Sequence, residues 1–231
     1  VVSPFYPYAR QDKKHKGREP ISARLISDLY KTAGADRLMC VDLHTSQIQG
    51  FFDGPLDHLF AIPVLAKHIR ERVEDLSNVT VVSPDTGRVR VAEHWATLLD
   101  GAPLAFVHKT RDINVPNHAV SKAVVGNVEG RTCVLIDDMI DTGGTIAGAV
   151  KVLMDKGAKE VIIAATHPVL SDPAVERLSE CGAVEVVVTN TLPVPEEKRF
   201  ENLTVLSIAP LIARAIREVF DEGSVTEIFD H

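Results

Sequence analysis

An α/β fold, with a mainly parallel sheet flanked by helices, is predicted by three features of the 231-residue sequence. Short runs rich in Val and Ile recur along the chain and alternate with stretches of helical periodicity, the pattern that sets parallel strands side by side under covering helices. Several of these runs end in a turn carrying Asp, Gly, Thr or His, as strands do when they deliver ligand-binding groups to the carboxyl edge of an open sheet. Hydrophobic residues make up 45% and charged residues 25%, values that suit one large core or two modest ones. The net charge of −7 argues against a general nucleic-acid binder. No apolar run approaches the about 18 residues of a membrane span, and no signal peptide is visible.

The chain opens Val1-Val2-Ser3-Pro4, without a methionine, on what reads as the tail of a strand. The expectation is a chain whose N-terminal portion is missing. Residues 8–19, YARQDKKHKGRE, form the only strongly basic stretch, which by composition alone is a solvated loop. Pro20 opens a helix with Ile21, Leu25 and Leu29 on one face, ending near Gly34. A strand over 37–41 delivers Asp42-Leu43-His44 at its carboxyl end; taken alone, that pair is more often a cap and a chance histidine than a metal site. A strand near 59–62 gives way to a helix from Pro63, and a domain boundary falls here. The strand at 79–83 leads into Pro84-Asp85-Thr86-Gly87-Arg88, and the next helix buries Trp95, Leu98 and Leu99. A strand at 104–107 is followed by a polar loop at 109–117. Strands at 161–166, 184–189 and 205–208 then alternate with helices at 173–181 and 211–220. A Pro/Glu-rich connection fills 190–199, and residues 224–231 form a short tail.

The most informative stretch is 131–148, RTCVLIDDMIDTGGTIAG. Residues 132–136 suit a buried strand, and 146–154 a helix closed by Gly157 as its cap. Between them stand Asp137, Asp138, Asp141, Thr142, Gly143, Gly144 and Thr145. A strand, a small-residue turn and a helix start form a phosphate cradle, in which free N–H groups face the ligand with the positive end of the helix dipole behind them. The carboxylates repel a phosphate, so they accept hydrogen bonds from hydroxyls beside it or hold a metal. Two acceptors beside a phosphate nest describe a sugar phosphate. The plainer alternative is a strand-to-helix turn capped by Thr142 with solvated aspartates.

The form DDMIDTGGT resembles the sugar-phosphate loop of the ribose-phosphate diphosphokinases, also called phosphoribosyl-pyrophosphate synthetases, which have the type I phosphoribosyltransferase fold. Three further segments resemble the same family in the same order: YARQD at 8–12, DLHTSQIQGFFDGPLDH at 42–58, and the Lys109-x-Arg111 pair. Residues 83–88, Ser-Pro-Asp-Thr-Gly-Arg, are similar to its diphosphate-binding loop, with Arg88 in place of a second glycine. The resemblance implies two related domains with the first incomplete. Residues 1–61 would be the remnant of the first domain, with 212–231 packing back on it, and 62–211 the second.

It also implies transfer of the diphosphoryl group of ATP to the 1-hydroxyl of ribose 5-phosphate. The implied catalytic pair is Lys109 and Arg111, and the ATP contacts are Arg10 and Gln11. Ribose 5-phosphate falls to Arg111, Asp137, Asp138, Asp141, Thr142, Gly143, Gly144 and Thr145, and magnesium to His44 and Asp85, with Asp53 and Asp57 as weaker candidates. A homo-oligomer, hexameric in the family, is implied; nucleic-acid and membrane partners are not. Cys40, Cys133 and Cys181 lack metal-ligand spacing and read as reduced thiols of a cytoplasmic protein. The alternatives are a phosphoribosyltransferase, which generally lacks the YARQD and DLH segments, and a non-catalytic homologue, which would be expected to lack the lysine–arginine pair.

Overall fold

A computed structural model describes residues 1–14, 16–85, 87, 89–110 and 121–229, without the side chains of residues 89, 109, 110, 121 and 122. Its contacts divide the chain into two units, Val1–Ala61 with Ser207–His231, and Ile62–Leu206.

The first unit holds a three-stranded parallel sheet of β1 (Val2–Ser3), β2 (Leu38–Val41) and β3 (Leu56–Leu59), in that order. All of β2 is buried, as a central strand covered on both faces must be. Helix α1 (Ser22–Thr32) departs from its expected orientation. Leu25 and Leu29 are each 55% exposed, and the face turned inward carries Ala23 and Ser27. Tyr6, 1% exposed, fills the space that such small residues leave, donating from its hydroxyl to the Ala23 carbonyl at 2.8 Å and pairing with the Ser27 hydroxyl at 2.7 Å. The strand expected near 59–62 lies earlier, at Leu56–Leu59, paired with β2 from Leu38↔Leu56 onward.

The second unit contains α2 (Ile62–Arg72), β4 (Val79–Ser83), α3 (Val89–Leu98), β5 (Leu104–Thr110), β6 (Ser121–Val125), β7 (Thr132–Ile140) and α4 (Gly144–Asp155). It continues with β8 (Glu160–Pro168), α5 (Ala174–Glu180), β9 (Glu185–Thr189) and β10 (Leu203–Leu206); α6 (Ala209–Phe220) belongs to the first unit. The seven strands lie in the order β10-β9-β8-β7-β4-β5-β6, parallel throughout except for β6, which runs antiparallel to β5. On one face Cys133, Leu135, Ile163, Ala165, Val186 and Val188 pack against Ile146, Ala149, Val150 and Leu153 of α4. Each fully buried aliphatic side chain of this kind contributes about 1.5–3 kcal/mol.

Three strands are longer than expected, among them β8 at Glu160–Pro168 in place of 161–166. β7 runs through Asp137 and Asp138 to Ile140, because the ladder to β8 continues past Asp137↔Ala165 to Ile140↔Pro168. β5 runs to Thr110, so Lys109 lies on a strand, because β6, which periodicity did not reveal, pairs Lys109↔Lys122 and Thr110↔Ser121.

Candidate active site

Strand β7 is fully buried from Thr132 to Ile136 and opens at Asp137 and Asp138, both half-buried, as it reaches the carboxyl edge of the sheet. Asp137 Oδ1 accepts the Asp138 N–H at 2.9 Å, which fixes one carboxylate against its own backbone. The chain then turns through Asp141, Thr142 and Gly143 into α4, two residues earlier than periodicity suggests. Gly143 is the helix N-cap at φ 71°, a left-handed conformation that side-chain-bearing residues rarely adopt, and it provides no side-chain cap. The first bond of the helix runs from the Ala147 N–H to the Gly143 carbonyl at 2.9 Å, so the N–H groups of the first turn lack intrahelical acceptors. These are the groups a phosphate needs. At the far end Gly157, at φ 82°, donates to the Met154 carbonyl while Ala158 donates to that of Leu153, the paired bonds that end a helix on glycine.

The glycines serve a purpose the sequence did not disclose. A Cβ on Gly143 would lie 3.5 Å from the Ala174 Cα and the Leu178 Cγ, and one on Gly144 would lie 3.2 Å from Arg177 Nη1. Both missing side chains therefore face α5. At Gly143 that distance is ordinary van der Waals contact and the left-handed backbone is what asks for glycine, whereas at Gly144 the contact is tighter than side chains usually make.

Neighbouring strands bring further groups to the same edge. From β4 the chain order runs outward through β5 and β6 on one side, and through β7, β8 and β9 on the other, so the topological switch falls between β4 and β7. Open parallel sheets bind ligands at such a point. Val82 pairs with Leu135 and Ser83 with Phe106, so β4 ends while its neighbours β5 and β7 continue past it along the same edge. Asp85 follows β4 by two residues; it is exposed, and its Oδ1 accepts the Gly87 N–H at 2.8 Å. Lys109 follows Phe106 along β5, with its side chain outside the described residues, as is the whole of Arg111.

In the first unit the expected ATP and metal loops are tied together by a residue to which sequence reasoning gave no role. Asp12, 5% exposed, accepts on Oδ2 from Thr45 Oγ1 and from Gln47 Nε2, each at 2.7 Å. The Arg10-Gln11 segment and the His44 loop are thus held as one piece, with Gln11 donating its N–H to the Tyr8 carbonyl and accepting on its own carbonyl from the Ala23 N–H. Asp42, at φ 40°, accepts the Ala61 N–H on Oδ2 at 3.1 Å, and the Leu43 N–H donates to His58 Nε2 at 2.9 Å. His44 is half-buried beside these anchors. Asp57 is engaged by Arg37 in a two-pronged pair at 2.6 and 2.7 Å, a bond that raises the Arg37 guanidinium further and gives this carboxylate a structural duty. Asp53 is exposed on the turn before β3.

Among the described residues no three His, Cys, Asp or Glu side chains converge on a metal-holding position. Magnesium does not require such a cage, since it keeps several waters and is bound through one or two carboxylates together with substrate phosphates. The exposed Asp85 carboxylate fits that donor set. Burial keeps the thiols away from the thiolate form, pushing Cys40 up to about 12, Cys133 up to about 11, and Cys181 upward. Among the described residues no helix is long and apolar enough to cross a membrane.

With this geometry in place, comparison with known proteins is informative. Residues 75–230 match the phosphoribosyl synthetase-associated domain, and residues 1–34 the N-terminal domain of ribose phosphate pyrophosphokinase. The chain is 70% identical over 230 residues to the ribose-phosphate pyrophosphokinase of Mycobacterium tuberculosis, covering 100% of itself and 70% of that protein. It is 67% identical over 231 residues to that of Bifidobacterium longum, of which it covers 68%. The crystal structure of phosphoribosylpyrophosphate synthetase from Mycobacterium smegmatis superposes with a TM-score of 0.89 at 67% identity, over 96% of this chain and 71% of that one. A cradle at the sheet's switch point and relatives at this level of identity lead to one conclusion: the chain belongs to the ribose-phosphate pyrophosphokinase family.

Proposed function

We infer that this chain transfers the diphosphoryl group of ATP to the 1-hydroxyl of ribose 5-phosphate, giving 5-phosphoribosyl 1-diphosphate and AMP. The observation that carries the reading is the segment from Asp137 to Thr145, which sets the Asp137 and Asp138 carboxylates on the strand and N–H groups without intrahelical acceptors on the helix start. That polarity orients a sugar phosphate. The 5-phosphate goes to the backbone N–H groups of Gly143, Gly144 and Thr145, helped by the Thr142 and Thr145 hydroxyls, where the dipole of α4 favours negative charge. Asp137, Asp138 and Asp141 repel the phosphate and accept from the ribose hydroxyls, which fixes the direction of the ring.

With the ring so held, the 1-hydroxyl oxygen attacks the β-phosphorus of ATP. The new O–P bond forms as the bond from the β-phosphorus to the oxygen bridging the α-phosphorus breaks; AMP leaves with that electron pair, and the hydroxyl proton is lost. Holding both reactants in line is a large part of such catalysis. Lys109 and Arg111 stabilise the charge that accumulates on the transferring group. Arg10 and Gln11 contact ATP. The residues that would hold magnesium are Asp85 of the second unit and His44 of the first, and the ion would supply positive charge to the triphosphate. In keeping with its family, the chain works in the cytoplasm and as a homo-oligomer, a hexamer.

The test is to incubate the protein with ATP, magnesium and ribose 5-phosphate and to resolve the products by phosphorus NMR. AMP and 5-phosphoribosyl 1-diphosphate in equal amounts support the reading. ADP in place of AMP, or AMP with free diphosphate from the outset, overturns it.

A further inference from the structure

The loop that forms the cradle is braced from behind by a residue outside every motif described above. Arg177 lies on α5, and its Nη1 donates to the Thr142 carbonyl at 2.9 Å. The same nitrogen stands 3.2 Å from where a Cβ on Gly144 would be, tighter than side chains usually pack, with Cζ at 3.8 Å. Ala174 and Leu178, one turn apart and on the same face of α5 as Arg177, are fully buried and lie against Gly143. The loop therefore has a front, where the first N–H groups of α4 lack intrahelical acceptors, and a back that is covered by one face of α5.

The geometry of the peptide unit gives this contact its meaning. In a trans peptide the carbonyl and the next N–H point in opposite directions. With the Thr142 oxygen fixed on a guanidinium at the back, the Gly143 N–H is turned away from α5. A carbonyl left without that anchor is free to rotate, and the N–H rotates with it. Unlike Gly143, Gly144 has no left-handed backbone to accommodate, so its lack of a side chain has a different cause. The tight contact that the structure shows there is with Arg177. The guanidinium adds positive potential behind a site that receives a phosphate.

We propose that Arg177 is a positioning residue for the ribose 5-phosphate cradle, acting through the Thr142 carbonyl, and that residue 144 is glycine to admit it. The proposal rests on the reading of 137–145 as the ribose 5-phosphate site.

The experiment is calorimetric titration of ribose 5-phosphate into the wild type, Arg177→Met, Arg177→Lys, Gly144→Ala and the double variant Gly144→Ala/Arg177→Met. Each single loss of the brace is expected to weaken binding about tenfold, the scale of a hydrogen bond to a charged donor, with Arg177→Lys recovering part of the loss. In turnover, the KM for ribose 5-phosphate should rise by more than kcat falls. The double variant should bind no more weakly than the worse single variant, because both substitutions remove the same contact. A wild type that binds, together with an Arg177→Met that binds as tightly, overturns the proposal alone. So do single losses that multiply in the double variant. A wild type that takes up no ribose 5-phosphate overturns the cradle reading and the proposal with it.

Discussion

In the unit of Ile62–Leu206 the proposed phosphate site is made of backbone, whereas in the unit of Val1–Ala61 and Ser207–His231 the loops expected to meet ATP and metal are held by side chains. The cradle depends on a left-handed Gly143, on uncapped N–H groups, and on α5 packed where two side chains are missing. The His44 and Arg10 loops depend on one buried carboxylate, Asp12, and on the Asp42–Ala61 and Leu43–His58 bonds. A site made of backbone is sensitive to any added Cβ and insensitive to the identity of exposed side chains. A site pinned by side chains fails when one buried acceptor is lost.

Substitutions sharpen this contrast. The largest effects belong to the second unit. Gly143→Val places a β-branched residue at φ 71°, a conformation costing it about 1–3 kcal/mol, and moves the loop. Ribose 5-phosphate affinity by calorimetry should fall about a hundredfold while circular dichroism still reports a folded protein. Unchanged affinity would make the loop merely structural. Lys109→Ala tests where side-chain chemistry enters this unit. Its kcat should drop about a hundredfold with ribose 5-phosphate binding little changed, and a kcat within a few-fold of wild type would remove Lys109 from the transition state.

Smaller effects belong to the first unit. Asp12→Ala strips the acceptor from Thr45 and Gln47, at a cost of about 1–3 kcal/mol per unsatisfied buried group. The KM for ATP should rise about tenfold, and the melting temperature should fall by several degrees; a rise in the KM for ribose 5-phosphate alone would contradict the division of labour. His44→Ala in this unit, and Asp85→Asn in the second, should each raise the magnesium concentration for half-maximal activity about fivefold. If neither does, the ion is held by ATP and other groups. The mildest case is His58, whose Nε2 receives the Leu43 N–H. His58→Leu should cost about threefold in the KM for ATP, and His58→Gln, which retains an acceptor, should cost less.

The fold class and the cradle were legible because their signals are local: a β-branched run, then a cluster of Asp, Thr and Gly, then a helix. What escaped depended on tertiary partners. The face of α1 was misread because Leu25 and Leu29 outweigh Ala23 and Ser27 in any apolar count, while Tyr6, a residue from elsewhere in the chain, decides which face is buried. β7 runs past its aspartates, and β5 past its lysine, because β8 and β6 continue to supply ladder partners. β6 itself carries only three apolar residues at its end, Ala123, Val124 and Val125, after a polar stretch. The family motifs named Arg10, His44, Asp85 and the cradle residues, but not Asp12, His58 or Arg177 as supports. For Arg177 a faint signal existed. One glycine is enough for the turn, so the second, Gly144, pointed to a close neighbour.

The central claim, that the backbone at the start of α4 receives the 5-phosphate, is tested most directly by following amide resonances during titration. Uniformly nitrogen-15-labelled protein would be titrated with ribose 5-phosphate and, separately, with ribose. The account predicts that the Gly143, Gly144 and Thr145 amides move strongly with ribose 5-phosphate, in the direction expected for a new hydrogen bond to an anion, and barely with ribose. Saturable binding in which these three amides stay still while resonances elsewhere shift would contradict it.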